Sequence, residues 1–350
     1  MFCITVILLL LDKFFFRGKI NYYELDKGME KEDGILMKKS TIKDVAQLSK
    51  VSVATVSRVL NGKGNVNPEI ASKVMDAAKE LNYTPNQLAK GLKEQKTNVI
   101  GIVVPDLADP YYVKAIQLLQ RKLQYENIHV IVTESGYDEK KEREILQKLE
   151  IKRVDAIVIA SAGNNEKHLT ELVLKGISII LFHSNIKNMD IKVPRVIENE
   201  EKIVGNLTSK LMEEGHKHIA VINGGKFYPN AIERYVGYVK AMYTGGEVLD
   251  SAYTFEGLYD IKSGRKAVKR FLALPKRPTA IISMHPYFTI GAVVELQKQG
   301  IRIPRDVTIA ALGYDSAFLL LEEKQMIVYE YDVEMAVEEI IFYLTDTIGI

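Results

Sequence analysis

The chain of 350 residues contains a single cysteine, Cys3. One cysteine can form neither an intramolecular disulfide nor a thiolate metal cluster, which excludes the disulfide-rich secreted proteins and the cysteine-ligated metal proteins. This cysteine content is typical of a protein from a reducing compartment, so we expect it in the cytoplasm.

The sequence also lacks a long hydrophobic segment. Its most apolar stretch, residues 2–11, is only about half as long as the roughly twenty residues that cross a bilayer. It also lacks the preceding basic residues and the following small-residue cleavage site of a secretory signal. Residues 31–37 can be encoded with a ribosome-binding sequence shortly before the codon for Met37. We therefore interpret residues 1–36 as a non-native or disordered extension and expect no membrane partner.

The motifs of common enzyme classes are absent from the sequence. No G-x-G-x-x-G follows a predicted strand, and there is no P-loop lysine and no G-x-S-x-G nucleophile motif. The six histidines are scattered and show no spacing typical of metal ligands. We therefore expect neither an enzyme nor a bound cofactor.

The charge is small overall but unevenly distributed. The formal net charge is +2. Residues 37–97 contain 11 Lys and Arg against 5 Asp and Glu, whereas residues 98–350 contain 31 against 34. A basic block ahead of a mildly acidic body indicates a polyanion-binding domain joined to a separate scaffold.

The basic block has the pattern of three short helices. Thr41 and Asp44 form a capping box at the start of the first helix, and Ser52 can cap the second. Asn67 can cap the third, with Pro68 at its first position. Apolar residues recur at helical spacing in each segment, and a tight turn joins the first two. This is the helix-turn-helix arrangement, although the same pattern fits a plain three-helix module.

The second predicted helix presents a surface that is compatible with DNA. Val53, Ala54, Ser57 and Arg58 project opposite the buried position of Val56. Arg58 can make a bidentate contact to guanine, while Val53 and Ala54 can only pack on a thymine methyl group. The helix N-terminus favours a phosphate. This surface would read few bases directly.

Short apolar strands alternate with amphipathic helices after a polar linker at residues 93–98. The predicted strands cover residues 99–104, 129–135, 156–161, 178–182, 218–224, 252–257, 279–283, 307–313 and 326–331. The alternation predicts an α/β architecture with parallel sheets and helices on both faces. Ligands of such sheets bind beyond the carboxyl ends of the strands. The residues at those ends are Asp106, Ser161, His183, Gly224, His285 and Asp315, each of which singly also fits a turn or a helix cap.

The basic block resembles a known family. The stretch TIKDVAQLSKVSVATVSRVLNGKGNVNPEIASKVMDAAKELNYTPNQ carries the signature T-x-x-D-V-A, V-S-x-x-T-V-S-R-V-L-N and L-N-Y-x-P-N of the lactose-repressor (LacI/GalR) family. The signature is spaced over three helices and is therefore highly specific. The resemblance runs from Met37 nearly to the end of the chain, and the core also resembles the catabolite-control branch. It implies a sequence-specific transcription regulator, a repressor, that binds a pseudopalindromic operator as a homodimer.

The resemblance also implies the domain organisation. The core is expected to be periplasmic-binding-protein-like, with two doubly wound parallel-sheet subdomains, and to follow an all-α helix-turn-helix domain. The implied divisions are a helix-turn-helix domain at 37–83, a hinge helix and linker at 84–97, and a core at 98–350, with a first subdomain of 98–196 plus 326–345 and a second of 197–325. The chain ends before the usual end of the family, so we expect the last segment of the core to be missing.

In this family the residues that match Val53, Ala54 and Arg58 read the major groove. The residue that matches Leu92 enters the minor groove from a hinge helix, here at 85–92, where an apolar wedge unstacks a base step and kinks the duplex. Leu92 also fits a partly buried linker residue. The expected DNA contacts are Thr41, Ser52, Val53, Ala54, Thr55, Ser57, Arg58, Asn61, Asn65, Asn86, Lys90 and Leu92.

The resemblance further implies an effector cleft between the subdomains. In the family, an aromatic residue that corresponds to Tyr111 or Tyr112 stacks on the effector. The family arginine that corresponds to Arg234 bonds hydroxyl or carboxylate groups of the effector. The match to Asp315 binds a hydroxyl group. Together with the residues at the strand ends, the expected effector site consists of Asp106, Tyr111, Tyr112, His183, Arg234, His285 and Asp315.

Three departures from the family pattern weaken the expectation of a sugar site. His285 and Pro286 stand where the family usually has Asn-Asp, and Glu198 stands where it has Asp. His183 and Ser184 replace an Asp-Arg pair. The expected switch is therefore a sugar, a different metabolite or a protein corepressor.

A solute-binding protein of a transport system would share the same core and is the alternative interpretation. Such a protein would carry an export signal and no basic head, and this sequence shows the reverse. The expected partners are therefore double-stranded DNA, an effector and a second copy of the chain.

Overall fold

The computed structural model describes residues 40–61, 65–83, 96–184, 186, 189–225, 228–313 and 326–349. The chain divides into two compact units, Met1–Asn86 and Gln87–Ile350. The hinge residues Asn86, Lys90 and Leu92 lie outside the described residues, as do the N-terminal extension at 1–36 and Asp315.

The first unit contains the three expected helices. They are α1 (Ile42–Ser49), α2 (Val53–Leu60) and α3 (Pro68–Glu80). Each predicted cap is confirmed: Thr41 and Asp44 form the capping box, the Ser52 side chain accepts the Thr55 N–H, and the Asn67 side chain accepts the Glu69 N–H. These caps fix where the helices start because they satisfy N–H groups that have no partner within the helix. A small apolar core, formed by Val45, Ala46, Val56, Val74, Ala77 and Ala78, joins the three helices.

The second unit contains two parallel sheets, which confirms the predicted α/β architecture. The first sheet has the strand order β2-β1-β3-β4-β5 and the second β10-β9-β8-β6-β7. The strands of the first sheet are β1 (Val99–Val104), β2 (His129–Glu134), β3 (Ala156–Ile159), β4 (Ser178–Phe182) and β5 (Arg195–Val196). Those of the second are β6 (Ile219–Gly224), β7 (Thr254–Gly257), β8 (Ala280–Ser283), β9 (Thr308–Gly313) and β10 (Met326–Glu330).

Helices cover both faces of each sheet. The helices of the core are α4 (Pro110–Tyr125), α5 (Glu139–Ile151), α6 (Glu166–Leu174), α7 (Glu200–Glu213), α8 (Pro229–Thr244), α9 (Ile261–Leu272), α10 (Pro286–Lys298) and α11 (Val333–Ile348). Around the first sheet, α4 and α11 pack together, and buried residues of α5 and α6 form a separate apolar cluster. Around the second sheet, α7 pairs with α8, and α9 pairs with α10. No helix in the described ranges is long and apolar enough to span a membrane.

One predicted boundary inside the core is wrong. The sequence placed residues 326–345 in the first subdomain, but β10 pairs in parallel with β9 and so extends the second sheet. Only α11 lies against the first sheet, where it contacts β3, β4 and β5. The chain therefore changes subdomain between β10 and α11, because the hydrogen bonds of β10 go to the nearest free strand edge while the apolar face of α11 packs on the other sheet.

A glycine sets the close packing of α7 against α8. A Cβ atom at Gly237 would lie 2.2 Å from the Glu201 carbonyl oxygen, whereas one at Gly205 would lie 3.6 Å from the Gly237 carbonyl oxygen. The first distance is a steric clash with backbone, and the second is an ordinary contact.

Gly237→Ala is therefore expected to destabilise the core by about 1–3 kcal/mol, because the two helices must separate. Gly205→Ala is the matched control and is expected to be neutral or slightly stabilising, since alanine favours the helix. Chemical denaturation measures both. Equal stability of the two variants would contradict this account of the helix contact.

Candidate functional site

Helix α2 turns one side toward the core of its unit and the other toward solvent. Val56 is fully buried, whereas the Val53 side chain is 42% exposed. Ala54 and Arg58 are exposed as well, and Ser57 is half-buried. Most of the expected recognition surface is therefore accessible on one helix face, with a single basic side chain on it.

The polar residues around α2 form local hydrogen bonds. The Ser52 and Thr55 hydroxyl oxygens lie 2.9 Å apart, and the Asn61 side-chain amide donates to the Ser57 carbonyl oxygen at 2.7 Å. Thr41 is exposed at the start of α1. These bonds hold the hydroxyl and amide groups at the ends of α2, where a DNA phosphate would approach the helix. Asn65 is also exposed.

A cavity of about 60 Å³ lies between the carboxyl ends of the two sheets. Five of the seven expected effector residues line it, namely Tyr111, Tyr112, His183, Arg234 and His285. Ser161, at the end of β3, also lines it. Ligands of parallel sheets bind beyond the carboxyl ends of the strands, and this strand-end rule correctly predicts that residues from both sheets meet at one place. This volume holds only a few water molecules.

Two other strand-end residues lie elsewhere. Asp106 is not among the lining residues, and its Oδ2 atom accepts a hydrogen bond from the Tyr287 hydroxyl at 2.8 Å. This bond joins the loop after β1 to the start of α10 and so connects the two subdomains. Gly224 is also absent from the lining, and a Cβ atom there would lie 2.5 Å from the Tyr259 hydroxyl oxygen. Gly224 thus makes room for a tyrosine of the cavity wall.

Arg234 is bound by groups of the protein itself. Its Nε and Nη2 atoms donate to the two carboxylate oxygens of Glu200, each at 2.9 Å. Its Nη1 atom donates to the Met284 carbonyl oxygen at 2.8 Å, and Nη2 also contacts the Tyr331 hydroxyl at 3.1 Å. The sequence led us to expect that this guanidinium group would bind the effector. In the structure it forms a bidentate ion pair with Glu200 instead.

The Arg234–Glu200 pair stays ionised although it is buried. Burial opposes the charge on Glu200, but the charge and hydrogen bonds of Arg234 outweigh it and hold the Glu200 pKa below its usual range. Burial likewise opposes the charge on Arg234, yet Glu200 raises the Arg234 pKa well above its ordinary value. The pair contributes no net charge to the cavity.

The two histidines of the cavity are neutral. Burial lowers the pKa of His183 to about 4 and the pKa of His285 well below its usual range. The Tyr287 N–H points to Nδ1 of His285 at 3.3 Å, which assigns the proton to Nε2. That Nε2 atom lies 3.5 Å from Oδ2 of Asp109.

Tyrosine is the commonest residue in the walls of the cavity, which the sequence did not predict beyond two positions. Six tyrosines line it, namely Tyr111, Tyr112, Tyr137, Tyr228, Tyr259 and Tyr331. Tyr137 belongs to the first subdomain and lies 5.0 Å, between ring centroids, from both Tyr228 and Tyr259 of the second. The tyrosines thus meet across the cleft.

Asp109 was also missed, although a local signal marks it. It precedes Pro110, the first residue of α4, and its Oδ1 atom accepts the Tyr111 N–H at 2.8 Å as the helix cap. Burial raises its pKa to about 6, with a further contribution from the nearby charge of Asp106. It remains mostly ionised at neutral pH.

The arrangement is suited to binding rather than to catalysis. The serines of the lining are engaged: the Ser161 hydroxyl donates to Glu142 at 2.7 Å, and the Ser184 hydroxyl donates to the Ser161 carbonyl oxygen at 2.9 Å. Within the described residues, no group of three His, Cys, Asp or Glu side chains could hold a metal ion.

Comparison with known families supports both the description of the helix-turn-helix unit and that of the core. Residues 41–86 match the family described as "Bacterial regulatory proteins, lacI family". Residues 97–337 match "Periplasmic binding proteins and sugar binding domain of LacI family". The second match alone spans more than half of the chain.

Similar proteins agree with these matches. The chain is 31% identical to catabolite control protein A of Priestia megaterium, over 80% of this chain and 83% of that protein. It is 33% identical to the HTH-type transcriptional regulator RegA of Clostridium saccharobutylicum, with the same coverages. The fold matches that of a Lac repressor dimer bound to operator and an anti-inducer, with a TM-score of 0.76 and 21% identity over 89% of this chain and 94% of that one.

The chain therefore belongs to the LacI family of bacterial regulatory proteins. Like the relatives named above, it is a DNA-binding transcriptional regulator and not an enzyme. The alternative of a solute-binding transport protein does not account for the match at residues 41–86.

Proposed function

We propose that this protein represses transcription as a homodimer on a pseudopalindromic operator. The observation that carries the proposal is the solvent-facing side of α2, where Val53, Ala54 and Arg58 are exposed opposite the buried Val56. A two-fold axis presents one such helix to each half-site, so the operator mirrors the symmetry of the dimer. The protein works in the cytoplasm, where the DNA is.

Helix α2 contacts few bases of the operator directly. Arg58 reads a guanine, Val53 and Ala54 contact thymine methyl groups, and the hydroxyls near the ends of α2 hold the backbone. By the family resemblance, Leu92 enters the minor groove at the operator centre, and Asn86 and Lys90 also contact the DNA. Deformability of the central base steps then contributes to specificity.

The cavity between the sheets is the effector site. Its walls come from both subdomains, so a ligand that parts the tyrosines changes how the subdomains meet. Such a ligand binds one arrangement better than the other and thereby shifts the population that holds the operator. We further expect Asp106 and Asp315 to contact the effector.

Selection of DNA from a random library by the purified full-length protein tests the proposal. We expect enrichment of two inverted half-sites, each with a constant guanine. Enrichment of a single asymmetric site, or no enrichment, would contradict the dimeric operator. Repeating the selection with candidate metabolites then identifies ligands that release or strengthen binding.

A further inference from the structure

A buried carboxylate that forms no ion pair with a cationic side chain among the described residues is a prominent feature of the cavity. Asp109 lines the cavity and is 6% exposed. One of its oxygens caps α4, and the other faces the neutral Nε2–H group of His285 at 3.5 Å. Both partners are uncharged donors, so they stabilise the carboxylate without neutralising it.

The basic groups of the described lining are not available to neutralise Asp109. Arg234 forms its bidentate pair with Glu200. His183 and His285 are both neutral at physiological pH, because burial lowers the pKa of each. Among the described residues, Asp109 therefore has no cation bonded to it, and Arg234 acts on it only through its charge. The site has a low dielectric, where an unpaired charge is costly.

The surrounding aromatic rings also favour a positively charged ligand. Six tyrosine rings line the cavity together with Asp109, and one of them, Tyr259, has one face covered by His285 at 4.3 Å between ring centroids. The face of a tyrosine ring carries negative electrostatic potential and attracts an ammonium group. The site thus combines a carboxylate with aromatic faces.

Other ligand charges fit this site poorly. A carboxylate or phosphate ligand would need the guanidinium group that Glu200 already holds, and it would face Asp109. A neutral polyol would leave the Asp109 charge unpaired. The serine and amide groups of the lining are also engaged: the Ser161 and Ser184 hydroxyls donate within the protein, and the Asn230 amide donates to the His183 carbonyl oxygen at 2.9 Å.

We propose that the cavity recognises a small ligand with a positively charged ammonium group, which sits against Asp109 between the tyrosine rings. This inference rests on the proposed function, since it names the chemical class of the effector of that site. It does not depend on which operator the protein binds.

Binding of charge-matched probes to the full-length protein, measured by titration calorimetry, tests the inference. Choline is compared with 3,3-dimethylbutan-1-ol, its uncharged isostere, and glucosamine is compared with glucose and glucuronate. Each cation is expected to bind about tenfold or more tightly than its neutral counterpart, and glucuronate is expected to bind most weakly.

Asp109→Asn removes the charge while keeping a residue that caps helices equally well. This variant is expected to lose the preference for choline over its isostere, and thermal unfolding checks that it is folded. Asp138→Asn is the matched control, because Asp138 caps α5 in the same way but lies outside the lining. It is expected to keep the preference.

The pH dependence gives a second measure, because choline has a charge that does not titrate. The pKa of Asp109 lies at about 6, and a bound cation favours its ionised form. Choline affinity is therefore expected to be full above that pH and to fall as the pH falls through it. The charged and titratable groups around Asp109 are Asp106, Arg234, His285, Tyr111, Tyr112, Tyr137 and Tyr287. In Asp109→Asn this dependence is expected to disappear.

Three outcomes would overturn the inference: failure of both cations to bind, equal binding of choline and its isostere, or tightest binding of glucuronate. Each leaves the operator result of the DNA selection untouched. Failure of the selection, in contrast, would reject the proposed function while the order of affinities among the probes could still be measured.

Discussion

Replacing Arg234 by methionine is expected to destabilise the core by about 3–5 kcal/mol, the largest effect of any substitution proposed here. The change leaves the Glu200 carboxylate buried without the guanidinium group that pairs with it at 2.9 Å. The free energy of unfolding, from chemical denaturation at neutral pH, measures the effect.

Two further variants show whether the burial of the pair is the cause. Arg234→Met combined with Glu200→Leu removes both charges and is expected to recover most of the lost stability, because an apolar pair of similar volume replaces a buried ion pair at little cost. Lys240→Met breaks the exposed Lys240–Glu201 pair between the same two helices and is expected to change stability little. A single Arg234→Met variant as stable as the wild type would contradict the assigned role of the pair.

Arg58→Ala is expected to weaken operator binding by about 1–3 kcal/mol, or roughly fivefold to more than a hundredfold, and to relax one base preference. The reason is the loss of a bidentate contact to guanine O6 and N7 from the exposed face of α2. Affinity for the selected operator and a repeated selection with the variant measure the two effects.

Lys79→Ala provides the control for Arg58→Ala. Lys79 is exposed in the last turn of α3, so its loss removes the same charge from the DNA-binding unit without touching α2. We expect a small loss of affinity and an unchanged base preference. If Arg58→Ala selected the same sequences as the wild type, Arg58 would contact only the backbone.

The sequence predicted local features well because local residues determine them. The caps at Thr41, Ser52 and Asn67 depend on hydrogen bonds that span two or three residues. Most of the strands were found for the same reason, since each is a short apolar run. The strand β5 was missed because two residues are too few to form a pattern.

The cavity was predicted in part, and the misses have two different causes. Tyr259 and Tyr331 follow β7 and β10, so the strand-end rule that selected His183 would also have selected them. Glu200 gave no such signal, because an acidic residue in the first turn of a helix is common for reasons of the helix dipole alone. Its partner Arg234 lies 34 residues later, and only the tertiary fold brings the two together.

The placement of β10 and α11 has a consequence for protein engineering. The strand ends at Glu330 and the helix begins at Val333, yet the first completes one sheet and the second covers the other. The second lobe is thus one continuous piece of chain, whereas the first lobe is built from two separate pieces. A fragment that stops before residue 326 would lose an edge strand from one lobe and a covering helix from the other. A chimaera that takes the first lobe from a relative must therefore exchange two separate gene segments, whereas the second lobe can be exchanged as one.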